Sequence, residues 1–167
     1  LKELRLEICR YLERKYNLSY TEDEVLVTVG GSEAIDAALR SILNPGDEVL
    51  IPEPSFVCYK PLTLFAGGKP VPIVTREENN FRLTVEDLKA SITDKTKALI
   101  LPYPNNPTGA ILEKEDLEAL SAFLREKDIF ILTDEIYSEL NYTPEGHTSI
   151  ASYPGMKERT IYINGFS

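Results

Sequence analysis

Short apolar runs alternate with amphipathic helical patterns along the chain, and this alternation constrains the fold more than any other feature. Most runs are apolar throughout, which is typical of strands buried on both faces of a parallel sheet. The sequence therefore predicts an α/β domain over residues 1–167, with three layers (α/β/α) around a mostly parallel sheet. Six strands are predicted, at residues 25–29, 49–51, 71–74, 98–101, 129–132 and 160–163.

Length and composition are those of a globular domain. The chain has 167 residues, of which 43% are hydrophobic and 27% charged, so it can bury a core and is too apolar to be disordered. A net charge of −9 argues against a nucleic-acid surface, which needs a basic footprint. The longest apolar runs have the length of strands, so no membrane span is predicted.

Cysteine and histidine offer little material for chemistry. Cys9 and Cys58 lie far apart in predicted helices without metal-ligand spacing. We expect both to be buried reduced thiols, which suits a cytosolic protein. The one histidine, His147, falls in a polar loop, where we expect it to be exposed. No metal site is predicted.

A polar block follows the fourth apolar run, at the kind of strand end where open α/β sheets bind ligands. Residues 103–109 read Tyr-Pro-Asn-Asn-Pro-Thr-Gly. Pro107 restricts Asn106 to extended geometry and permits a cis bond, so the amide can be presented in a fixed position. A plain proline turn with asparagine as turn-former is the simpler interpretation.

A second polar block, Thr-Asp-Glu-Ile-Tyr at residues 133–137, follows the fifth run. Asp134 and Tyr137 lie one turn apart and can face the same pocket. A carboxylate that leaves a buried strand needs a positive partner, and a protonated ring nitrogen would be one. Helix capping by Asp134 and a half-buried core phenol are the alternatives. Phe56, just after the second run, can stack on a flat ring or belong to the core.

Gly30, Gly31 and Ser32 follow the first run and open a predicted helix. Free backbone N–H groups and the positive end of a helix favour anions, so a phosphate site is predicted, with the Ser32 hydroxyl as an added donor. A tight strand–helix turn with a serine cap is the alternative. Together, four strand ends carry groups suited to one planar, phosphorylated, cationic heterocycle.

With these motifs the chain resembles the class I/II aminotransferases, the fold-type I enzymes that depend on pyridoxal 5'-phosphate. The resemblance covers essentially all 167 residues, and its specificity comes from the order and spacing of four segments rather than from any one. The segments are VTVGGSEA at 27–34, NPGDEV at 44–49, NPTG at 106–109 and DEIY at 134–137.

The resemblance implies a role for each matched residue near the ring. Asp134 would bind the pyridine nitrogen and keep it protonated, so that the ring can absorb electrons from the α-carbon. Tyr137 and Asn106 would hydrogen-bond the ring oxygen, and Asn106 would also approach the substrate carboxylate. Phe56 would stack on the ring, where relatives often carry Tyr or Trp.

The same resemblance implies that Gly31, Ser32 and Glu33 bind the phosphate, mainly through backbone N–H groups. Gly165 stands where many relatives have a phosphate-binding serine, so that contact is in doubt. The family pattern Gly-x-Ser-Lys begins at Gly165, and the Schiff-base lysine is therefore expected directly after Ser167. No catalytic residue is assigned within the chain.

The chain is thus interpreted as an incomplete cofactor-binding large domain that lacks the N-terminal segment and the small C-terminal domain. The parent protein would transfer an amino group between an L-amino acid and a 2-oxo acid, as a cytoplasmic homodimer, and this piece alone would be inactive. Three alternatives stay open: other pyridoxal-phosphate chemistry such as a C–S β-lyase or decarboxylase, a non-catalytic effector-sensing domain of an aminotransferase-like regulator, and a structural or oligomerising fragment.

Overall fold

The computed structural model describes residues 1–166, and the expectation attached to Ser167 lies outside the described residues. Within residues 1–166, five strands form one sheet in the order β2-β1-β3-β4-β5, and every neighbouring pair is parallel. The predicted α/β class with a mostly parallel sheet is confirmed. The strands are β1 (Glu48–Glu53), β2 (Lys69–Val74), β3 (Thr96–Leu101), β4 (Phe130–Asp134) and β5 (Thr160–Ile163).

α-Helices lie between successive strands from β1 to β4, and local signals explain where some of the helices begin. Thr84 starts one helix by accepting a hydrogen bond from the N–H of Asp87, whose carboxylate bonds back to Thr84. This is the capping box that the sequence predicts. The helix Tyr59–Phe65 has Cys58 at its N-cap position, whereas the sequence predicts Ser55 there. The helices are α1 (Lys2–Tyr16), α2 (Gly30–Ile42), α3 (Tyr59–Phe65), α4 (Val85–Ser91) and α5 (Lys114–Leu124).

The helices cover both faces of the sheet, as predicted. On one face, α4 and α5 pack against alternate strand residues such as Leu50. On the other face, α2 and α3 pack against Val49 and Ile51. Successive strand residues point to opposite faces, so β1 contributes to both cores, and all three of these side chains have no exposed surface.

The prediction of a strand at residues 25–29 is wrong. This segment has no strand assignment, and Leu26, Val27 and Val29 are 76%, 49% and 89% exposed. No strand among residues 1–166 pairs with it. An apolar run becomes a strand only when a neighbour satisfies its backbone groups, and the described part of the chain supplies none.

A third, smaller cluster lies under α1. Leu12 and Tyr16 from the buried side of this helix pack with Ala151 and with the partly buried Tyr162 of β5. The N-terminal helix is therefore attached near the β5 edge of the sheet, close to the segment that follows β4.

Candidate functional site

The carboxyl ends of three adjacent strands carry four of the residues that the sequence predicts to form a site. Phe56 follows β1, Asn106 follows β3, and β4 ends at Asp134, with Tyr137 just beyond it. Because the sheet is parallel, these ends lie at the same edge. The strand order changes direction between β1 and β3, and open α/β sheets bind ligands at such a point.

Asp134 is a buried carboxyl group held by neutral donors. Only 7% of the residue is exposed. Its Oδ2 accepts a hydrogen bond from the Tyr59 hydroxyl at 2.8 Å, and its Oδ1 accepts one from the Ile136 N–H at 3.3 Å. Among residues 1–166, no lysine, arginine or histidine forms an ion pair with it. The carboxyl group is therefore fixed in position without a cation.

The pKa of Asp134 reflects this environment. Burial raises its pKa above the ordinary value, and the neighbouring Glu135 carboxylate acts in the same direction, while the Tyr59 hydroxyl and the Ile136 N–H oppose the rise. Burial also raises the pKa of Tyr59, and Asp134 adds to this rise, so the phenol remains a donor. A cation that reached Asp134 would favour its ionised form.

Asn106 and Tyr137 lie side by side beyond the ends of β3 and β4. The Asn106 Nδ2 is 3.5 Å from the Tyr137 hydroxyl, which is the outer limit of a hydrogen bond. Both residues are half-buried, and the peptide bond between Asn106 and Pro107 is cis. Tyr137 also lies near enough to Tyr59 to contribute to the raised pKa of that phenol. An amide and a phenol placed in this way can both reach one oxygen of a ligand.

The N-terminus of α2 offers a set of backbone donors. The first N–H groups of a helix have no acceptor within the helix. Gly30 has a φ of +80°, a conformation that favours glycine. Ser32 and Glu33 are exposed, but the Glu33 carboxylate bonds back to the Val29 N–H, so its side chain is unsuited to an anion. The backbone N–H groups of Gly31, Ser32 and Glu33 and the Ser32 hydroxyl can bind one.

A thiol connects this helix terminus to the carboxyl group. Burial raises the pKa of the Cys58 thiol, the Ser32 side chain opposes the rise and Asp134 adds to it, so the thiol lies near both residues. The structure therefore brings the predicted phosphate-binding turn and the predicted ring-binding carboxyl to one place. Cys58 is half-buried rather than buried as expected, because it precedes α3 at this edge, whereas Cys9 is buried; both are free thiols.

Phe56 borders the site without belonging fully to the core. It is 40% exposed, and its ring packs edge-on against Tyr59, with 6.1 Å between the ring centroids and 74° between the planes. Gly165 lies at the end of β5, where a Cβ atom would come within 2.7 Å of Ile136 Cδ1. A serine at this position would therefore displace Ile136.

Two residues near the site were not predicted correctly. Tyr59 was expected only on the apolar side of a helix, yet its hydroxyl bonds to Asp134. His147 was expected to be exposed, but its side chain is 9% exposed and its Nε2 lies 2.6 Å from Glu135 Oε2. A buried carboxylate needs donors, and the loop folds over to supply one. The phenol three residues after Phe56 was the available signal for Tyr59.

The part of the chain that the structure describes contains no cluster of metal-ligating side chains and no helix that could cross a membrane. There, no group of three or more His, Cys, Asp or Glu side chains is arranged to hold a metal ion. The helices within residues 1–166 are too short or too polar to cross a membrane.

A parallel α/β fold that presents a carboxyl without a cation, an amide–phenol pair and a helix N-terminus at one edge has groups suited to an anionic ligand with a cationic ring. The chain belongs to the aminotransferase class I and II family, whose model matches residues 1–167. Members of this family use pyridoxal 5'-phosphate.

Named relatives agree with this assignment. The chain is 48% identical to an aspartate aminotransferase of Pyrococcus abyssi over 100% of its own length and 43% of that protein. Among solved structures, it matches the aromatic aminotransferase of Pyrococcus horikoshii with a TM-score of 0.97 and 46% identity, over 100% of this chain and 45% of that one. The structure of the Thermus thermophilus aspartate aminotransferase with maleate matches with a TM-score of 0.93 and 40% identity, over 99% of this chain and 42% of that one. The chain spans less than half the length of these relatives.

Proposed function

We propose that this chain forms the pyridoxal 5'-phosphate platform of an aminotransferase that moves an amino group between an L-amino acid and a 2-oxo acid. One observation carries the proposal: the Asp134 carboxyl is buried and held by the Tyr59 hydroxyl and the Ile136 N–H, with no ion-pair partner among residues 1–166. A protonated pyridine nitrogen at this position would favour the ionised form of Asp134 and pair with it. Membership of the family supports the same cofactor.

In this proposal each residue near the ring has a distinct task. Asp134 holds the proton on the ring nitrogen, and Tyr59 keeps the Asp134 carboxylate oriented. Asn106 and Tyr137 bind the ring oxygen, and Phe56 covers one face of the ring. When bound, the cofactor supplies an electron sink for the α-carbon of the substrate. The chain's own residues fix the ring and its proton.

The phosphate group is assigned to the N-terminus of α2. The backbone N–H groups of Gly31 and Ser32 lack acceptors within the helix, that of Glu33 lies in the same first turn, and the helix dipole favours an anion there. The Ser32 hydroxyl adds one donor on the side of Cys58.

The test is a cofactor titration with a matched pair of variants. Asp134→Asn removes the charge that the ring nitrogen needs, whereas Asp94→Asn makes the same change at an exposed position just before β3, at the opposite edge of the sheet. A hydrogen bond to a charged group contributes about 1.5–3 kcal/mol. We therefore expect Asp134→Asn to weaken binding of pyridoxal phosphate by at least about tenfold and Asp94→Asn to leave it unchanged. Equal binding by both variants, measured by the absorbance of the cofactor, would refute the proposal.

We further propose that the whole protein is a cytoplasmic homodimer. Exposed apolar side chains on and next to α3 support an interface, since Val57, Leu64 and Phe65 are 80%, 59% and 69% exposed. The two free cysteines are compatible with a reducing compartment. Sedimentation of the whole protein tests the assembly, and a monomer at micromolar concentration would refute it.

A further inference from the structure

Glu135 is a buried carboxylate that the cofactor platform does not use. It follows Asp134 directly, and adjacent residues of an extended segment point to opposite sides, so its side chain turns away from the ring site. Only 1% of the residue is exposed. The Thr133 and Ser149 hydroxyls both donate to its Oε1, at 2.8 and 2.6 Å.

The other oxygen of Glu135 depends on His147. Among residues 1–166, the only side chain that bonds to Glu135 Oε2 is the imidazole of His147, at 2.6 Å from Nε2. A carboxylate can only accept, so Nε2 carries the hydrogen. The imidazole is itself held in place, because it packs edge-on against the Tyr16 ring of α1 at 5.7 Å between centroids. His147 therefore connects α1 to the end of β4.

The backbone around Glu135 carries this connection to the ring site. The Glu135 N–H donates to the Ile163 carbonyl at 2.9 Å, and the Glu135 carbonyl accepts from the Ser138 N–H at 2.9 Å. The next N–H, that of Ile136, donates to Asp134 Oδ1. A change in the backbone torsion angles of Glu135 would therefore move both the Asp134 backbone and the Ile136 N–H, which is one of the two donors to the Asp134 carboxyl group.

We propose that His147 is a positioning residue of the cofactor site: by donating to Glu135 Oε2 it fixes the turn that points Asp134 at the ring nitrogen. His147 touches neither the cofactor nor Asp134, and this role rests on the proposed function, namely that Asp134 binds a pyridine nitrogen. Loss of the His147 donor should therefore weaken only the binding of ligands that carry this ring nitrogen. If the loss instead disordered the whole site, the affinity for every ligand would fall alike.

The experiment compares pyridoxal phosphate with its 1-deaza analogue, in which the ring nitrogen is replaced by C–H. Dissociation constants for both are measured for the wild-type chain and for His147→Leu. We expect His147→Leu to weaken the binding of pyridoxal phosphate about tenfold, within the range for coupled neighbours. The dissociation constant of the analogue should change less than about twofold. In an Asp134→Asn background, His147→Leu should have no further effect.

Two further variants make the test specific. His147→Gln retains an N–H donor and should restore most of the affinity for pyridoxal phosphate. Thr148→Ala changes an exposed neighbour in the same loop and should have no effect. If His147→Leu does not fold, as judged by circular dichroism, His147→Asn is used instead, because its shorter amide leaves Glu135 Oε2 without a donor and the same selective loss is expected.

The outcomes separate the two ideas. If the wild-type chain does not bind pyridoxal phosphate, the proposed function is wrong and the positioning role with it. If the wild-type chain binds but His147→Leu weakens both ligands equally, the role of His147 is only structural and the positioning role is overturned, while the proposed function stands.

Discussion

Asp134 and Tyr59 show how one phenol can prepare a carboxyl group for a cation. Burial raises the pKa of Asp134, and the Tyr59 hydroxyl is the larger of the two donors that oppose this rise. The same hydroxyl fixes the direction of Oδ2 at 2.8 Å. Without this donor, the pKa of the carboxyl group would rise further, and pairing with a protonated ring would be weaker.

Tyr59→Phe is therefore expected to raise the pKa of Asp134 further and to weaken cofactor binding. The loss of one hydrogen bond corresponds to about 1 kcal/mol, or roughly fivefold in affinity. The carboxyl carbon of Asp134, followed by NMR through a pH titration, reports the pKa directly. Tyr142→Phe is the matched control, because Tyr142 is 89% exposed. An unchanged titration of Asp134 in Tyr59→Phe would contradict the assignment of this role.

The packing of helix α2 against the sheet determines where the N-terminus of the helix lies. Its buried residues Ile35 and Leu39 anchor it on the sheet, and this anchoring aims its N-terminus at the edge where β1, β3 and β4 end. The glycines at its start leave the backbone N–H groups open. The Ser32 side chain is the one side-chain donor at this terminus that the proposal assigns to the phosphate.

Ser32→Ala tests that assignment. Removal of the hydroxyl should weaken the binding of pyridoxal phosphate by about 1 kcal/mol. The binding of unphosphorylated pyridoxal should not change, because the contact is made only to the phosphate. Competition measurements with both ligands give the two changes, and Ser19→Ala, at an exposed position beyond α1, serves as the control. A parallel loss for both ligands would place Ser32 elsewhere in the site.

The elements that could be predicted from the sequence are those whose signals are local. The fully apolar runs at 98–101 and 129–132 became β3 and β4, and the Thr84 capping box starts α4. The run at 25–29 has the same kind of pattern but no strand partner within residues 1–166, because periodicity reports burial and not pairing. The partners in contacts between distant residues could not be predicted from local patterns. The Tyr59 hydroxyl meets a carboxyl group 75 residues away.

Two buried carboxyl groups at opposite edges of the sheet, Glu48 and Asp134, have pKa values shifted in opposite directions. At the amino edge, Glu48 begins β1 and is 5% exposed. The Thr93 hydroxyl and then the Lys69 ammonium, which lie 2.6 and 2.9 Å from its oxygens, lower its pKa. At the carboxyl edge, burial raises the pKa of Asp134. The surroundings of Glu48 therefore stabilise its ionised form, whereas the surroundings of Asp134 favour its neutral form.

These opposite shifts predict opposite effects of pH on the free energy of unfolding. Stability from Glu48 is present above its ordinary pKa and is lost as the pH falls through the lowered value, so the deficit of Glu48→Gln relative to wild type should shrink in acid. Stability from neutral Asp134 is present below its ordinary pKa and is lost as the pH rises through the raised value. Relative to the wild-type chain, the cofactor-free Asp134→Asn variant should therefore gain stability with rising pH.

Urea denaturation of the three cofactor-free proteins over a pH series measures both trends, and each variant serves as the control for the other. If the two differences from wild type changed in the same direction with pH, the assignment of opposite protonation preferences to the two edges would be wrong.

Because every neighbouring pair of strands is parallel, no two strands of the described sheet can form a hairpin during folding. Each pairing must close a long loop, and chains dominated by such non-local contacts fold slowly. The residues assigned to the ring come from the ends of β1, β3 and β4, so a partly folded chain that lacks any of these pairings has no complete site. Recovery of cofactor affinity during refolding should therefore coincide with the last pairing among these three strands.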